Sequence, residues 1–188
     1  IELGVVSKGY VAGGTENDTI KVTDTGVTSA SLKAGTGNDL MSITGGITDG
    51  SLFGGTGNDS FNFTGGRATG LVDVGSGVDS VLLGAQADSI TLTGSLTNTS
   101  LSAGASNDSI LIDTNMLSAS LEAGAGSDTL NFSSSSVSIL ATTIKGGAGS
   151  DNISLYGAND VVFDVASTDS IFGGTGADTL LFTGSVTR

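Results

Sequence analysis

The stretch Gly54-Gly55-Thr56-Gly57-Asn58-Asp59 runs directly into Ser60-Phe61-Asn62-Phe63, and near copies stand at residues 34–43 and 173–182. Each copy closes a glycine-rich loop on an aspartate and then alternates apolar and polar residues. Aligned on that aspartate, the loops end at Asp18, Asp39, Asp59, Asp79, Asp88, Asp108, Asp128, Asp151, Asp160, Asp169 and Asp178. Two places on, the residue is always apolar: Ile20, Met41, Phe61, Val81, Ile90, Ile110, Leu130, Ile153, Val162, Ile171 and Leu180. Four places on it is apolar again, except where Asp164 and Gly173 stand. Period-two alternation straight after a tight turn predicts a short strand with one buried face. Repetition of such a unit predicts stacking, because one copy cannot bury its apolar face alone.

The spacing sets the expected architecture. Most aspartates lie near 20 residues apart, but the steps 79 to 88, 151 to 160, 160 to 169 and 169 to 178 are 9 residues. Nine to ten residues read as half a coil and 18–20 as a full coil, about the repeat lengths of parallel β-solenoids. The fold class expected is all-β, a flattened parallel β-roll forming a single domain over residues 1–188. The long steps are expected to hide a second half-turn without its aspartate, visible after Thr44, Thr64 and Thr93. A 9-residue step moves the acidic loop to the opposite edge. Asp18, Asp39, Asp59 and Asp79 then stack on one edge, and Asp88, Asp108, Asp128, Asp151 and Asp169 on the other, with Asp160 and Asp178 returning to the first. A triangular coil of about 28 residues near Leu82–Ser102 and Leu155–Phe172 is the competing reading.

Composition narrows the chemistry. The chain has no His, no Cys and no Pro, 31 Gly, 6 Lys plus Arg, and a net charge of −13. An acidic surface disfavours nucleic acid and anionic membranes. No apolar run reaches the length of a membrane span, so no membrane insertion is expected. The absence of a leading Met at Ile1 suggests a processed form or an excised piece. Catalysis is not expected, since there is no His or Cys to act as base or nucleophile. A pair such as Asp73 and Asp79 would suit glycoside chemistry, but Tyr10 and Tyr156 are too few for a sugar-binding platform.

Glycines let a loop curl so that carbonyls point inward, and the aspartate adds a hard anionic oxygen. Oxygen-only donors suit Ca²⁺ rather than zinc or copper. One loop offers too few ligands for the 6–8 that Ca²⁺ takes, whereas two loops stacked about 4.8 Å apart could supply them. The candidate ligands are Asp18, Asp39, Asp59, Asp79, Asp88, Asp108, Asp128, Asp151, Asp160 and Asp178, then Asp169, with loop carbonyls of Thr15, Asn17, Thr36, Asn38, Thr56 and Asn58. One ion per pair of loops gives about seven Ca²⁺ ions, whose charge would nearly cancel that of the chain. Asn17, Asn38, Asn58 and Asn107 are read as serving loop conformation.

From Gly13 to Phe182 the loops resemble the nonapeptide G-G-x-G-x-D-x-U-x of RTX (hemolysin-type) calcium-binding proteins. Residues 54–59, 146–151 and 173–178 match in full. Glu16 and Ser106 replace the third glycine, the loop before Asp88 keeps only Gly84, Gly157 is displaced, and no glycine precedes Asp169. The resemblance implies a right-handed β-roll, calcium-driven folding and export from bacteria. The leading expectation is a secreted, extracellular module at the bacterial cell surface. It would stack on copies of itself, head-to-tail or along a tandem array, in a surface layer, filament or adhesin stalk. Two alternatives are a folding and secretion tail of an exported enzyme or toxin, and an ice-binding or other adhesion module. The ice-binding reading rests on outward Thr15/Asn17, Thr36/Asn38 and Thr56/Asn58, a row that decays at Ser76/Val78.

Overall fold

The computed structural model describes residues 1–132, 139–156, 161–162, 170–177, 179–183 and 186–187. Among them all regular structure is strand, and every strand pairing is parallel. The chain is a parallel β-solenoid. An 18-stranded hydrogen-bonded sheet wraps into two faces, and a three-stranded and a two-stranded sheet complete it.

Register follows the apolar columns. On one face Ile20, Met41, Phe61, Val81, Leu101, Leu121, Ile144 and Ile171 are successive partners. On the other the partners are Val11, Leu32, Leu52, Val72, Leu92, Ile112, Phe132 and Leu155. The first face steps by 20 residues through its middle, with 21 at the start and 23 then 27 at the end. Side chains at alternate positions meet between the faces. Phe61, Phe63 and Phe132 are at most 1% exposed there, while Leu82, at the outward-facing position beside Val81, is 44% exposed.

The edge switch is the geometry adopted. Ser80–Leu82, which follows Asp79, pairs with Ser60–Phe63 on the first face, and Ser89–Thr93, which follows Asp88, pairs with Ala68–Asp73 on the second. The nine residues between those aspartates carry the chain across one face, so the next aspartate lands on the opposite edge. A 20-residue step across Leu82–Ser102 leaves no triangular coil there.

Two expectations need correction. The degenerate half-turns are not copies of the aspartate loop. Each is a short third side with a two-residue strand, such as Leu96–Thr97, Met116–Leu117 and Ile139–Leu140, which stack into their own sheet. Its second corner is a left-handed residue: Lys8, Ser29 and Asp49 on the second edge above the switch, then Asn98, Ser118 and Ala141 on the first edge below it (φ 48 to 54°). A small residue follows each one, from Gly9 to Thr142. The C-terminal 9-residue steps also fail to alternate edges as expected. Ser170–Thr175 pairs with Thr143–Ala148, and Thr179–Thr183 with Asn152–Tyr156. The loop at Gly176 thus belongs to the second edge, not the first, because a single 27-residue coil separates Ile144 from Ile171. Asp160, Asp169 and Asp178 themselves lie outside the described residues.

Glycine is demanded where coils touch. Gly55 has φ +115°, and a β-carbon there would collide with the carbonyl oxygen of Gly35 in the coil above. Packing makes a sharp contrast testable by urea unfolding in saturating Ca²⁺. Phe61→Ala should cost about 3–5 kcal/mol by emptying a buried site. Leu82→Ala, on the solvent side of the same strand region, should change stability by about 0.5 kcal/mol or less.

Candidate metal centre

Parity decides where the aspartates point. Each stands two residues before the first core residue, so along an extended chain it faces the same way as the core. Asp39, Asp59, Asp79, Asp88, Asp108, Asp128 and Asp151 are accordingly only 2–3% exposed. Carboxylates buried this deeply need partners, and the stacking of coils supplies one. On the first edge the N–H of Asp18 donates to Asp39 Oδ1 (2.7 Å), that of Asp39 to Asp59 Oδ1 (2.9 Å) and that of Asp59 to Asp79 Oδ1 (2.8 Å). On the second edge Ala68 N–H opens the ladder onto Asp88 Oδ1 (2.7 Å). It continues from Asp88 to Asp108, Asp108 to Asp128 and Asp128 to Asp151, at 2.8, 2.8 and 2.9 Å.

A second ladder runs the opposite way. The N–H of Asn38 donates to Asn17 Oδ1, that of Asn58 to Asn38 Oδ1, that of Val78 to Asn58 Oδ1 and that of Ser127 to Asn107 Oδ1, all at 2.7–2.9 Å. The asparagines thus hold loop to loop, which is the conformational role expected of them.

The second oxygen of each acid is different. Oδ2 of Asp39, Asp59, Asp79, Asp88, Asp108 and Asp128 is buried with no hydrogen-bond partner. What it faces is visible at the first glycine of the loop. A β-carbon on Gly13 would lie 2.5 Å from Ala34 O and 2.7 Å from Asp18 Oδ2. Gly54 is flanked in the same way by Val74 O and Asp59 Oδ2, and Gly146 by Gly173 O and Asp151 Oδ2. At each point a carboxylate of one coil and a carbonyl of the next converge beside a glycine. Among the described residues no three acidic side chains gather, so a cation here would depend on backbone carbonyls as well as carboxylates, drawn from two coils. These donors are all hard oxygens and fit Ca²⁺.

Residues 141–163 and 164–181 match the family model of the RTX calcium-binding nonapeptide repeat (4 copies). The chain carries RTX repeats. No curated protein and no solved structure matches the chain. The matched segments contain one described loop aspartate, Asp151, and Asp128 donates to it through the same ladder that begins at Asp88. The RTX geometry therefore extends well above the matched segments.

Sequence reasoning nominated the carbonyls of Thr15, Asn17, Thr36, Asn38, Thr56 and Asn58. Two of these work between coils: Thr15 O accepts from Thr36 Oγ1 (3.2 Å) and Thr56 O from Gly37 N–H (2.9 Å). The carbonyls that meet the carboxylates are those of Ala34, Val74 and Gly173, which sequence reasoning missed. The signal was present in the alignment, since each occupies the first-glycine position of the following loop.

Burial raises the acids' affinity for protons. Asp79 is pushed up to about 6, chiefly by desolvation and further by the nearby Asp59, against a lowering hydrogen bond from the Asp59 N–H. Asp108 reaches about 7 by desolvation first, then the charges of Asp88 and Asp128, with the Asp88 N–H opposing. Asp59, Asp88 and Asp128 are raised as well, each mainly by burial. Between the unfolded value of 3.8 and these raised values the folded chain holds more protons than the unfolded one. Stability therefore falls as pH rises through that window. In excess chelator, thermal unfolding should show the chain most stable near pH 4 and progressively weaker up to about pH 7, with little further loss above it. A metal-free stability that rises across the same range would contradict this assignment.

Proposed function

We propose that this chain is a calcium-binding structural module of an extracellular bacterial assembly. The observation that carries the reading is the set of buried, unpartnered Oδ2 atoms on Asp39, Asp59, Asp79, Asp88, Asp108 and Asp128. Leaving a buried acceptor unsatisfied costs about 1–3 kcal/mol, more when it is charged. Protonation relieves that cost only in acid. At neutral pH a hard cation between coils does so, and it offsets the repulsion between carboxylates stacked about one strand spacing apart. Asp18 and Asp151 join the same two ladders by register, and Ala34, Val74 and Gly173 supply carbonyls. When bound, Ca²⁺ contributes charge compensation and cross-links successive coils.

Nothing in this arrangement needs a substrate. The chain has no His or Cys, and its loop acids are engaged with the neighbouring coil. A rod of parallel coils suits a surface layer, filament or adhesin stalk. Every coil offers the same backbone donors and acceptors to the next, so another copy of the chain is the natural partner along the rod.

Calcium dependence is tested by circular dichroism. Excess chelator at pH 7.5 should strip most of the β signal, and added Ca²⁺ should restore it. A strand spectrum indifferent to chelator, in protein that contains no metal, would sink the reading. Individual ligands are tested by counting ions. Asp59→Ala should lower bound Ca²⁺ by one to two per chain, because its carboxylate lies between two loops. Asp49→Ala removes an exposed side chain at a left-handed corner and should leave the count unchanged. Equal losses from both would refute the assignment of the ladders.

A further inference from the structure

Below Asp79 the described residues of the first edge carry no loop aspartate, yet the column goes on. The N–H of Ser100 donates to Asp79 O, that of Ser120 to Thr99 O and that of Thr143 to Ala119 O, each at 2.9 Å. Thr99, Ala119 and Thr142 thus stand where Asp39, Asp59 and Asp79 stand above. The rule of the ladder is that the N–H of each column residue meets a side-chain oxygen one coil below. Thr142 keeps the rule: its Oγ1 accepts from Ala119 N–H at 3.4 Å and donates to Leu140 O at 3.0 Å.

Thr99 does not keep it. The residue is 1% exposed and its Oγ1 has no hydrogen-bond partner. A buried hydroxyl without a partner is costly, and the column uses alanine at 119 with no such cost. The position is also tightly held. Val74 N–H donates to Thr93 O (3.2 Å) and Ser95 N–H to Gly75 O (2.7 Å), so the chain tracks the coil above as far as Ser95. It leaves through the short strand Leu96–Thr97 and re-enters the column at Thr99. The neighbour one coil above Thr99 is Asp79, whose Oδ2 is also buried and unpartnered.

We propose that Asp79 and Thr99 close the first-edge ladder as a cation site with one carboxylate and one hydroxyl donor. The inference rests on the calcium reading above and adds a ligand that the aspartate motif does not contain. With one carboxylate fewer than a site between two aspartates, it should be the weakest site on that edge, since ligand charge tunes Ca²⁺ affinity.

The test counts Ca²⁺ bound to the full chain by equilibrium dialysis and isothermal titration. Thr99→Val keeps shape and removes the hydroxyl. It should bind one ion fewer than the parent and lose the weakest phase, while Thr99→Ser restores both and Thr142→Val leaves the count unchanged. Circular dichroism in saturating Ca²⁺ checks that each variant is folded, and Thr99→Ala, the residue the column carries at 119, repeats the test should valine not fit. A parental ion count in both Thr99→Val and Thr99→Ala overturns the proposal. So does a rise in melting temperature on Thr99→Val that is equal with and without Ca²⁺, which is what mere removal of an orphan hydroxyl would give. A parent chain that binds no Ca²⁺ overturns the calcium reading itself, an outcome distinct from the other two.

Discussion

The structure depends on one interaction, the bond from a backbone N–H to the carboxylate one coil below. It ties the ends of the loops together at 2.7–2.9 Å along both edges. It fixes the vertical register that puts Phe61 over Val81 and Leu92 over Ile112. It also forces each carboxylate into the interior, where its remaining oxygen has no protein donor. The same contact that organises the solenoid therefore creates its electrostatic problem. That link between packing and charge explains why an acidic chain can build a core and why its folding would answer to a cation.

The loops can move from one edge to the other without breaking the core. A strand is indifferent to which of its two ends carries the aspartate, because the inward column is unchanged. Val81 and Ile90 sit on opposite faces but pack into the same interior. Where an edge gives up its aspartate, it gains a left-handed corner and a two-residue strand. This padding keeps the circumference near 20 residues, so coils above and below the switch remain in register. The longer coils toward the C-terminus change the count and with it the edge on which later loops fall.

Much of this was legible in the residues. The two apolar columns gave the strands, and the single 9-residue step at Asp79–Asp88 gave the change of edge. The burial of the aspartates was also written there, in their parity with Ile20, Phe61 and Ile110, although a loop residue is easily read as pointing outward. Three features were not legible. The direction of the carboxylate ladder depends on inter-coil stagger, which one-dimensional spacing does not encode. The third side at Thr44–Gly50 looks like a weak copy of the loop because both use Thr and Gly, yet its corner is carried by Asp49 in the left-handed region. The role of Thr99 is invisible without register, since a threonine ahead of a strand is common and only its column places it beneath Asp79.

The central claim is that the orphaned carboxylate oxygens of the two ladders hold Ca²⁺ between coils. Anomalous diffraction from crystals grown in Ca²⁺ addresses it directly. The account predicts two rows of anomalous peaks, one beside Asp18, Asp39, Asp59 and Asp79 and the other beside Asp88, Asp108, Asp128 and Asp151, on opposite edges of the solenoid. Well-ordered carboxylates with no peak within coordination distance of their Oδ2 atoms would contradict it.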